Sequence, residues 1–505
     1  MTHALHQAIA ALGPLAVLGP LPTSLDTLTD NSRAVQRGGG FVAVRGSGTD
    51  GHHYIDNAAR AGAAVIFCEE LPASLDPAVA YVHVDSTRAK LAALAALAYG
   101  RPSEELVLFG VTGTNGKTTT TYMLESIGRA LGLSVGVLGT VSHRYPGFVE
   151  TAENTTPGLL KTASLLRNMV DAGVRWVAAE VSSHGLTQGR LDGLSFDAGA
   201  WTNLQRDHLD YHHDMTQYGA AKALFFTEVL ARSAQTKRPC AVLCADDPGL
   251  RDFVGPGRES AWGGRALWYG LGGDLPSPSL TADKLRSDAR GWSGELVLST
   301  GLRVAFTLPF FGRFNVLNAL AAVGCAWSSG VELADLAQAL SALAPVPGRM
   351  EAFGGHGAPR VFVDYSHTPD ALANALETLR EITKGTLWVV FGAGGDRDST
   401  KRSEMGRIAS TLADRAIVTN DNPRNEDPQR IADAILAGMP SRHDVQVELD
   451  RALAVSAAVC GADEDDVVLI AGKGHEDYQI IGKERRHLDD RELAVAALAQ
   501  RSERT

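Results

Sequence analysis

The stretch Leu106–Thr121, with the sequence LVLFGVTGTNGKTTTT, constrains the fold of this chain more than any other. Its apolar run, Leu106–Val111, predicts a strand that is buried on both faces, as in a parallel sheet. A turn that contains glycines follows, and a helical pattern begins at Lys117 and continues to about Leu131. A strand, a glycine turn and a helix in this order predict a phosphate-binding loop.

The residue types in this loop suit a nucleotide phosphate. Glycine lets backbone N–H groups approach an anion, and the start of a helix adds the positive end of its dipole. Lys117 supplies a charge for the outer phosphates, and Thr118 supplies a hydroxyl group for a phosphate-bound Mg²⁺. The strict spacing has glycine at 111, where this chain has Val111, and the remaining match is Gly113-Thr114-Asn115-Gly116-Lys117-Thr118. The alternative is a turn rich in glycine and threonine before an ordinary helix.

The composition is that of an ordinary globular protein. The chain has 505 residues, of which 45% are hydrophobic and 21% charged, and its net charge is −11. This length predicts about three domains, and the negative charge argues against a nucleic acid partner. The 5 cysteines are scattered without a C-x-x-C pair, so we expect neither a disulfide framework nor a zinc site. We recognise no secretion signal and no membrane-spanning segment, and we expect a cytoplasmic protein without membrane insertion.

Boundaries near Gly100–Ser103 and Ala344–Gly348 divide the chain into three predicted domains of α/β class. Residues 1–102 are a small α/β unit. Residues 103–345 are a doubly wound mononucleotide-binding sheet with an appended antiparallel hairpin, and residues 346–505 are a Rossmann-like domain. Buried strands are predicted at 41–44, 63–67, 81–84, 106–111, 176–181, 196–203, 241–245, 360–365, 386–391, 415–419 and 466–470, the hairpin at 294–298 and 302–308, and helices at 54–61, 88–99, 117–131 and 314–328.

Polar residues cluster directly after the predicted strands. In open α/β sheets the carboxyl ends of the strands form the ligand-binding edge. Any one of these clusters is explained equally well by a helix cap or a turn, but the whole series predicts a common binding edge. The clusters are Gly113–Thr118, Glu180–His184, Asn203–His213, Asp364–His367, Gly392–Arg397, Asp421–Arg424 and Gly472–Asp477.

Three of the candidates have open alternatives. Glu180 is either a partner of a helix N-terminus or a Mg²⁺ ligand that faces Thr118 from a neighbouring strand. The loop Arg206–His213 contains three histidines and two aspartates, yet it matches no zinc spacing, so we favour a second Mg²⁺ or a phosphate neighbour. Lys222 lies on a mostly apolar helix, where a lysine usually extends its amine to the surface.

Together these motifs resemble those of the Mur ligases, which add amino acids to the peptidoglycan precursor with ATP. The resemblance extends from about Asp30 to Asp490 and is strongest to the members that add the third residue of the peptide. It implies a three-domain ligase that forms an amide through an acyl phosphate. The segments that carry it are Gly113–Thr119, Glu180–Gly185, Thr202–His212, Gly312–Asn318, Pro347–Met350, Asp364–Pro369, Asp421–Arg424 and Gly472–Asp477.

The resemblance also implies roles for single residues. The catalytic residues would be Lys117, Glu180, His208 and Lys222, and Mg²⁺ would be held by Thr118, Glu180, His208 and Lys222 as a carbamate. ATP would contact Gly113, Thr114, Asn115, Gly116, Lys117, Thr118, Thr119, Asn318 and Arg349, with Asp364 and His367 close by. UDP-N-acetylmuramoyl-L-alanyl-D-glutamate would be held by Ser32, Ser47, Gly48, Thr49, Asn154, Thr155, Thr156, Ser182, Gln188 and Arg190. The incoming amino acid would contact Arg397, Asp421, Asn422, Pro423, Arg424, Gly472 and Glu476.

Arg424 decides the expected amino acid. meso-Diaminopimelate differs from lysine by a distal carboxylate, which a planar guanidinium group can bind through two hydrogen bonds. We therefore expect diaminopimelate as the substrate. Separately, we expect a monomeric enzyme. The alternatives are a lysine- or ornithine-adding member of the same family, a surface role for Arg424, and a switch NTPase, although no N-K-x-D signature is present. The chain departs from the family pattern at the uridine loop Ser47–Thr49 and at Ser366, where alanine is common.

Overall fold

The computed structural model describes residues 2–46, 49–258, 262–263, 265–288, 290–439 and 444–502. Three main sheets follow one another along the chain, and helices cover them. The predicted uridine-loop residues Ser47 and Gly48 lie outside the described residues. None of the helices in the described ranges has the length and apolar character that crossing a bilayer requires.

The N-terminal sheet has five strands in the order β1-β5-β4-β3-β2. Its inner strands are parallel, and β1 pairs antiparallel with β5. The three strands and the two helices predicted in this region are confirmed with small shifts of their ends. The elements are α1 (Thr2–Ala11), β1 (Ala16–Leu18), β2 (Leu28–Thr29), β3 (Gly40–Val42), α2 (Ile55–Arg60), β4 (Val65–Cys68), β5 (Ala80–His83) and α3 (Thr87–Tyr99).

The central sheet has 11 strands, and the order of its middle part is β13-β12-β11-β6-β10-β7. Its strands are β6 (Val107–Thr112), β7 (Val135–Leu138), β8 (Ser142–Tyr145), β9 (Phe148–Thr151), β10 (Trp176–Glu180), β11 (Ala198–Trp201), β12 (Cys240–Cys244), β13 (Ala266–Gly270), β14 (Ser279–Asp288), β15 (Gly291–Leu298) and β16 (Arg303–Leu308). Its helices are α4 (Pro102–Glu105), α5 (Lys117–Ala130), α6 (Leu159–Asp171), α7 (Ser183–Thr187), α8 (Leu209–His212), α9 (Met215–Leu224), α10 (Ala231–Ser233), α11 (Pro248–Val254), α12 (Arg313–Ser328) and α13 (Leu333–Leu340).

Strand β6 lies between β10 and β11, so the loop that follows it opens at the middle of the sheet. Its residues are largely buried because helices pack on both faces of the sheet. Gly110 is required at this depth, since a β-carbon there would lie 2.3 Å from Cζ of Phe225. The predicted hairpin is confirmed as β15 and β16, and β14 extends it to three antiparallel strands.

The C-terminal sheet has six strands in the order β17-β18-β22-β19-β20-β21, all parallel except β17. The four strands predicted here are confirmed as β18, β19, β20 and β22. The elements are β17 (Glu351–Gly354), β18 (Arg360–Asp364), α14 (Pro369–Ile382), β19 (Leu387–Phe391), α15 (Lys401–Leu412), β20 (Arg415–Val418), α16 (Pro428–Leu436), β21 (Asp444–Val447), α17 (Arg451–Gly461), β22 (Val467–Ala471), β23 (Tyr478–Ile481), β24 (Glu484–His487) and α18 (Asp490–Ser502).

Candidate active site

A cavity of about 700 Å³ lies at the carboxyl end of the central sheet, as expected for an open α/β sheet. The central domain, the linker that follows α13 and the end of β18 all contribute to its lining. The predicted site residues that line it are Thr114, Asn115, Gly116, Lys117, Thr118, Thr119, Thr155, Glu180, Ser182, His208, Lys222, Asn318, Arg349, Asp364 and His367.

The phosphate loop is held open by the segment after β11. The backbone N–H of Thr114 donates to the carbonyl of Asn203 at 3.0 Å, and the N–H of Asn115 donates to Asn203 Oδ1 at 2.9 Å. Gly116 adopts a φ of +87°, and a β-carbon there would lie 2.3 Å from Oδ1 of Asn318. These contacts fix the shape of the loop. Asn203 lies inside a family motif, but the motif alone did not predict this supporting role.

Lys117 and Lys222 approach the same backbone atom. Lys117 Nζ donates to the carbonyl of Gly113 at 2.8 Å, and Lys222 Nζ donates to it at 2.7 Å. Burial lowers the pKa of both amines, and the charge of Lys117 lowers the pKa of Lys222 further. Lys222 is only 1% exposed and lies 4.4 Å from the ring centre of Tyr218, so the expectation of a surface lysine is wrong. The helix is mostly apolar in sequence, and this pattern did not indicate that Lys222 lines the cavity.

Glu180 is the buried acid next to the phosphate loop. Its Oε2 accepts from the hydroxyl of Thr118 at 3.1 Å and from the hydroxyl of Thr140 at 2.8 Å, and its Oε1 accepts from the N–H of Thr140 at 2.9 Å. Ser182, not Glu180, caps the following helix α7. Sequence reasoning missed Thr140. It follows the end of β7, so the rule that ligands lie beyond strand ends was the available signal.

The loop Arg206–His213 brings an aspartate and an imidazole to the cavity. His208 precedes α8 in a left-handed conformation with φ of +54°, and its Nε2 lies 3.4 Å from Oδ2 of Asp207. Desolvation lowers the pKa of His208, which favours the neutral ring, although Asp207 acts in the opposite direction. Within the ranges that the structure describes, no group of three or more histidine, cysteine or acidic side chains is placed to hold a metal.

The donors present fit Mg²⁺ better than zinc. Mg²⁺ prefers oxygen ligands, and the Thr118 hydroxyl and the Glu180 carboxylate supply them beside the phosphate loop. A charged Lys222 would repel the ion, whereas its carbamate would offer two further oxygens. His208 offers a neutral nitrogen.

The linker between the central and C-terminal sheets reaches the phosphate loop. Arg349 Nη2 donates to the hydroxyl of Thr118 at 3.3 Å, and its guanidinium carbon lies 4.4 Å from the ring centre of Tyr365. Gly348, with φ of +61°, packs against backbone of the C-terminal domain, since a β-carbon there would lie 2.0 Å from the carbonyl carbon of Gly474. The linker thus contacts both halves of the site.

Several residues predicted for the UDP-linked substrate meet beside β10. Thr156 donates its hydroxyl to the carbonyl of Glu180 at 2.8 Å, and Arg190 Nη1 donates to the carbonyl of Thr156 at 2.7 Å. Arg190 also donates two hydrogen bonds to Gln188 Oε1. Arg88, which had no predicted role, donates to the carbonyl of Gln188 at 3.3 Å. Ser182 belongs to this group, because its N–H donates to Thr156 Oγ1 at 2.9 Å. Asn154 is exposed, Ser32 begins a short 3₁₀ helix, and the carbonyl of Thr49 accepts from the N–H of Gly46.

The residues predicted for the amino acid form a second cluster, beyond the carboxyl ends of β19, β20 and β22. Asn422 Nδ2 donates to Glu476 Oε2 at 2.9 Å, and the fully buried Lys473 donates to both side chains at 3.3 Å. A β-carbon at Gly472 would lie 2.7 Å from Oδ2 of Asp421. Lys473 lacked a predicted role, although it lies inside the motif Gly472–Asp477.

Two arginines border this second cluster. Arg424 has a left-handed backbone with φ of +52°, and its Nη1 donates to the carbonyl of Gly395 at 2.8 Å. The carbonyl of Pro423 is in close contact with Gly395, where a β-carbon would lie 1.9 Å from it. Arg397 is exposed on the same loop as Gly395.

Comparison with known families decides the assignment. The model of the Mur ligase middle domain matches residues 111–326, that of the Mur ligase glutamate ligase domain matches residues 348–474, and that of the Mur ligase family catalytic domain matches residues 26–99. The chain belongs to the Mur ligase family. The predicted α/β class with three domains, a central phosphate-loop sheet and a Rossmann-like C-terminal domain is thereby confirmed, as is the assignment to ligases.

Relatives of this Mur ligase match it from end to end. The proteins of Parasynechococcus marenigrum (strain WH8102) and Gloeobacter violaceus are each 42% identical over 99% of this chain and are covered over 100% and 99% of their own lengths. Both are named UDP-N-acetylmuramoyl-L-alanyl-D-glutamate–2,6-diaminopimelate ligase. A solved structure with that name is 30% identical, superposes with a TM-score of 0.67 and covers 95% of both chains.

Proposed function

We propose that this Mur ligase uses ATP to join meso-diaminopimelate to UDP-N-acetylmuramoyl-L-alanyl-D-glutamate. The names of relatives that are 42% identical support this reaction. The observation within the chain that supports it most is the meeting of the phosphate loop, Glu180 and Lys222 in one cavity with Arg349 of the linker. Such a cavity suits activation of a carboxylate by a nucleotide phosphate.

In this proposal the free carboxylate of the UDP-linked substrate attacks the γ-phosphorus of ATP. The bond to ADP breaks, and an acyl phosphate forms. Lys117 and the N–H groups of the loop neutralise the charge that spreads over the transferring phosphoryl group. The amine of the incoming amino acid then attacks the carbonyl carbon, and phosphate leaves with formation of the amide.

Mg²⁺ would be held by Thr118 and Glu180, with His208 and carbamylated Lys222 as further ligands, and would supply charge neutralisation at the phosphates of ATP. Thr140 orients the Glu180 carboxylate by two hydrogen bonds. Arg349 adds a cation from the linker, and closure of the C-terminal domain excludes water that would hydrolyse the acyl phosphate.

Lys222 suits reaction with CO₂. Its lowered pKa increases the fraction of neutral amine, which is the nucleophile. The nitrogen attacks the carbon of CO₂, a C–N bond forms, and one proton leaves to water. The product replaces a buried positive charge by a carboxylate next to Lys117, so the change converts repulsion between the two side chains into attraction.

Arg424 is proposed to select diaminopimelate. Its guanidinium group can bind the distal carboxylate of this amino acid, whereas lysine would offer it no carboxylate. Arg397, Asp421, Asn422, Pro423, Gly472 and Glu476 would complete the amino-acid site. Ser32, Asn154, Thr155, Thr156, Ser182, Gln188, Arg190 and the loop around Thr49 would hold the UDP-linked substrate.

We further propose domain limits at residues 1–102, 103–345 and 346–505, which the three separate main sheets support. The enzyme would act as a monomer in the cytoplasm. The free cysteines among the described residues, four of them buried, are compatible with a reducing compartment.

A ligation assay tests the proposed function. Purified protein receives ATP, Mg²⁺ and UDP-N-acetylmuramoyl-L-alanyl-D-glutamate, with diaminopimelate, lysine and ornithine offered in parallel, and the tripeptide product is measured by mass spectrometry. We expect product with diaminopimelate and none with the UDP-linked substrate omitted. Preference for lysine or ornithine would assign the chain to the alternative specificity, and ATP hydrolysis that needs no carboxylate substrate would support a switch NTPase.

A further inference from the structure

A buried ion pair lies beneath the proposed amino-acid site. Arg451 is the first residue of α17 and Asp490 is the first residue of α18, and neither side chain is exposed. Arg451 Nε donates to Asp490 Oδ1 and Nη2 donates to Oδ2, each at 2.7 Å. A bidentate pair of this kind fixes the plane of the guanidinium group.

The same guanidinium group holds the backbone at the ends of two strands. Nη1 donates to the carbonyl of Asn420, beyond β20, at 3.1 Å, and Nη2 donates to the carbonyl of Ala471, the last residue of β22, at 3.0 Å. The next residues along the chain are Asp421 and Gly472. Arg451 therefore ties together two segments that carry proposed amino-acid contacts but are not neighbours in sequence.

We propose that Arg451, held in place by Asp490, is a positioning residue that sets the geometry of the amino-acid site. This inference rests on the proposed function. The approach of the two segments is close, because a β-carbon at Gly472 would lie 2.7 Å from Asp421 Oδ2 and 3.9 Å from Arg451 Nη2. A rotation of either carbonyl would displace the Asp421 carboxylate relative to Gly472.

Charge supports the same role. The carboxylates of Asp490, Asp421 and Glu476 all act on the buried cation of Arg451, and Lys473 is paired with Glu476. Burial lowers the pKa of Arg451, and the three carboxylates more than reverse that effect. Arg451 therefore offsets part of the negative charge of these carboxylates from below the proposed amino-acid site.

The structure also offers a way to separate positioning from stability. Buried ion pairs are often replaceable by apolar side chains of similar volume without loss of the fold. The double variant Arg451→Met with Asp490→Leu would keep the packing but remove both donors to the carbonyls. The single variant Arg451→Lys would keep the charge and remove the planar group, so it serves as the conservative variant.

The experiment measures KM for the amino acid, ATP and the UDP-linked substrate in the native protein, these two variants and a control, with melting temperature measured beside them. The control variant is Asp466→Asn, because Asp466 holds the opposite end of β22 through the N–H of Thr386 and the indole of Trp388. The amino acid whose concentration is varied is the one that the native protein uses in the ligation assay. An error in the proposed substrate is therefore detected in that assay and does not affect this test.

We expect the double variant to raise the KM for the amino acid at least tenfold and to leave the other two KM values within twofold. Arg451→Lys should fall between the native protein and the double variant, and Asp466→Asn should lower the melting temperature alone. An unchanged amino-acid KM in a folded double variant would overturn the inference. If the double variant does not fold, Arg451→Lys takes its place in the test. In that variant, an unchanged amino-acid KM or an equal rise in all three KM values would overturn the inference.

Discussion

Lys117 and Lys222 donate to one carbonyl oxygen, that of Gly113, at 2.8 and 2.7 Å. Two ammonium groups on one acceptor repel each other, and burial lowers the pKa of both. The repulsion between the two ammonium groups decreases when a phosphate binds Lys117 or when Lys222 loses its positive charge. This crowding of two cations supports both parts of the proposal, an anion at Lys117 and a carbamate on Lys222.

Replacement of Lys222 by alanine should abolish most ligation. Loss of a preorganised electrostatic group costs about 10²–10³-fold in rate. We expect short carboxylates such as acetate to restore part of the activity, because they can occupy the place of the carbamate. ADP release coupled to product formation measures the effect, and Lys284→Ala, at an exposed lysine of β14, is the control. Full activity of Lys222→Ala would contradict the carbamate role.

Thr140→Val should weaken the response to Mg²⁺. The substitution removes the hydroxyl donor to Glu180 but keeps the side-chain volume and the backbone donor. Groups that orient a metal ligand contribute about 10–100-fold to metal affinity, so the half-saturating Mg²⁺ concentration should rise by about tenfold. Thr162→Val, at a buried threonine that donates to Pro157, is the matched control. Equal Mg²⁺ curves for both variants would refute this role.

Arg424→Ala should impair the use of diaminopimelate much more than the binding of ATP. Loss of a hydrogen bond to a charged group costs about 1.5–3 kcal/mol, which corresponds to roughly a 10–100-fold rise in KM for diaminopimelate. KM values for diaminopimelate, lysine and ATP measure the selectivity. Arg415→Ala, at a half-exposed arginine of β20 paired with Asp444, is the control. Unchanged discrimination between diaminopimelate and lysine would remove Arg424 from the selection.

Gly348→Ala should reduce both stability and ligation. The new methyl group would collide with backbone of Gly474, the neighbour of Lys473. Gly357→Ala separates this collision from backbone strain, because Gly357 has a φ of +88° and a β-carbon there would meet no atom within 4 Å. We expect Gly357→Ala to cost about 1 kcal/mol of unfolding free energy and Gly348→Ala to cost clearly more in urea denaturation. Similar losses in the two variants would exclude a special role of the contact.

His212 should make the protein less stable in acid. Burial lowers its pKa to about 4, and the ring bonds to the hydroxyl of Ser183. The unfolded chain takes up the proton below about pH 6.5, so stability should fall between about pH 6.5 and pH 4, by on the order of 3 kcal/mol for this group. In urea denaturation from pH 7 to 4, His212→Gln should show a flatter decline. Parallel curves for the variant and the native protein would contradict the assignment.

Several parts of the fold with strong local signals were predicted, although the buried strands β7 and β13 were not. The apolar run before the phosphate loop, the helix that starts at Lys117 and the buried strands of the C-terminal sheet all appear near their expected places. Strands β1 and β2 were missed because they have 3 and 2 residues and no periodic pattern. Strand β17 was missed for a related reason, since it is a half-exposed edge strand of 4 residues.

The parts of the site that lie in recognisable motifs at strand ends could be predicted from the sequence. The proximity of Thr118 and Glu180 followed from their positions at the carboxyl ends of adjacent strands. The burial of Lys222 did not follow, because a helix pattern alone does not say what its faces meet. Arg451 and Asp490 are 39 residues apart and pair only through the packing of two helices, so local patterns contain no signal for them.

The contact between Arg349 and Thr118 would make nucleotide affinity depend on how closely the linker approaches the phosphate loop. If ATP binds as proposed, moving the linker away would remove the Arg349 cation from its phosphates, and by thermodynamic reciprocity bound nucleotide would oppose that movement by the same free energy. Titration of ATP analogues under conditions that open or close the molecule would thus report the hinge without a structural probe.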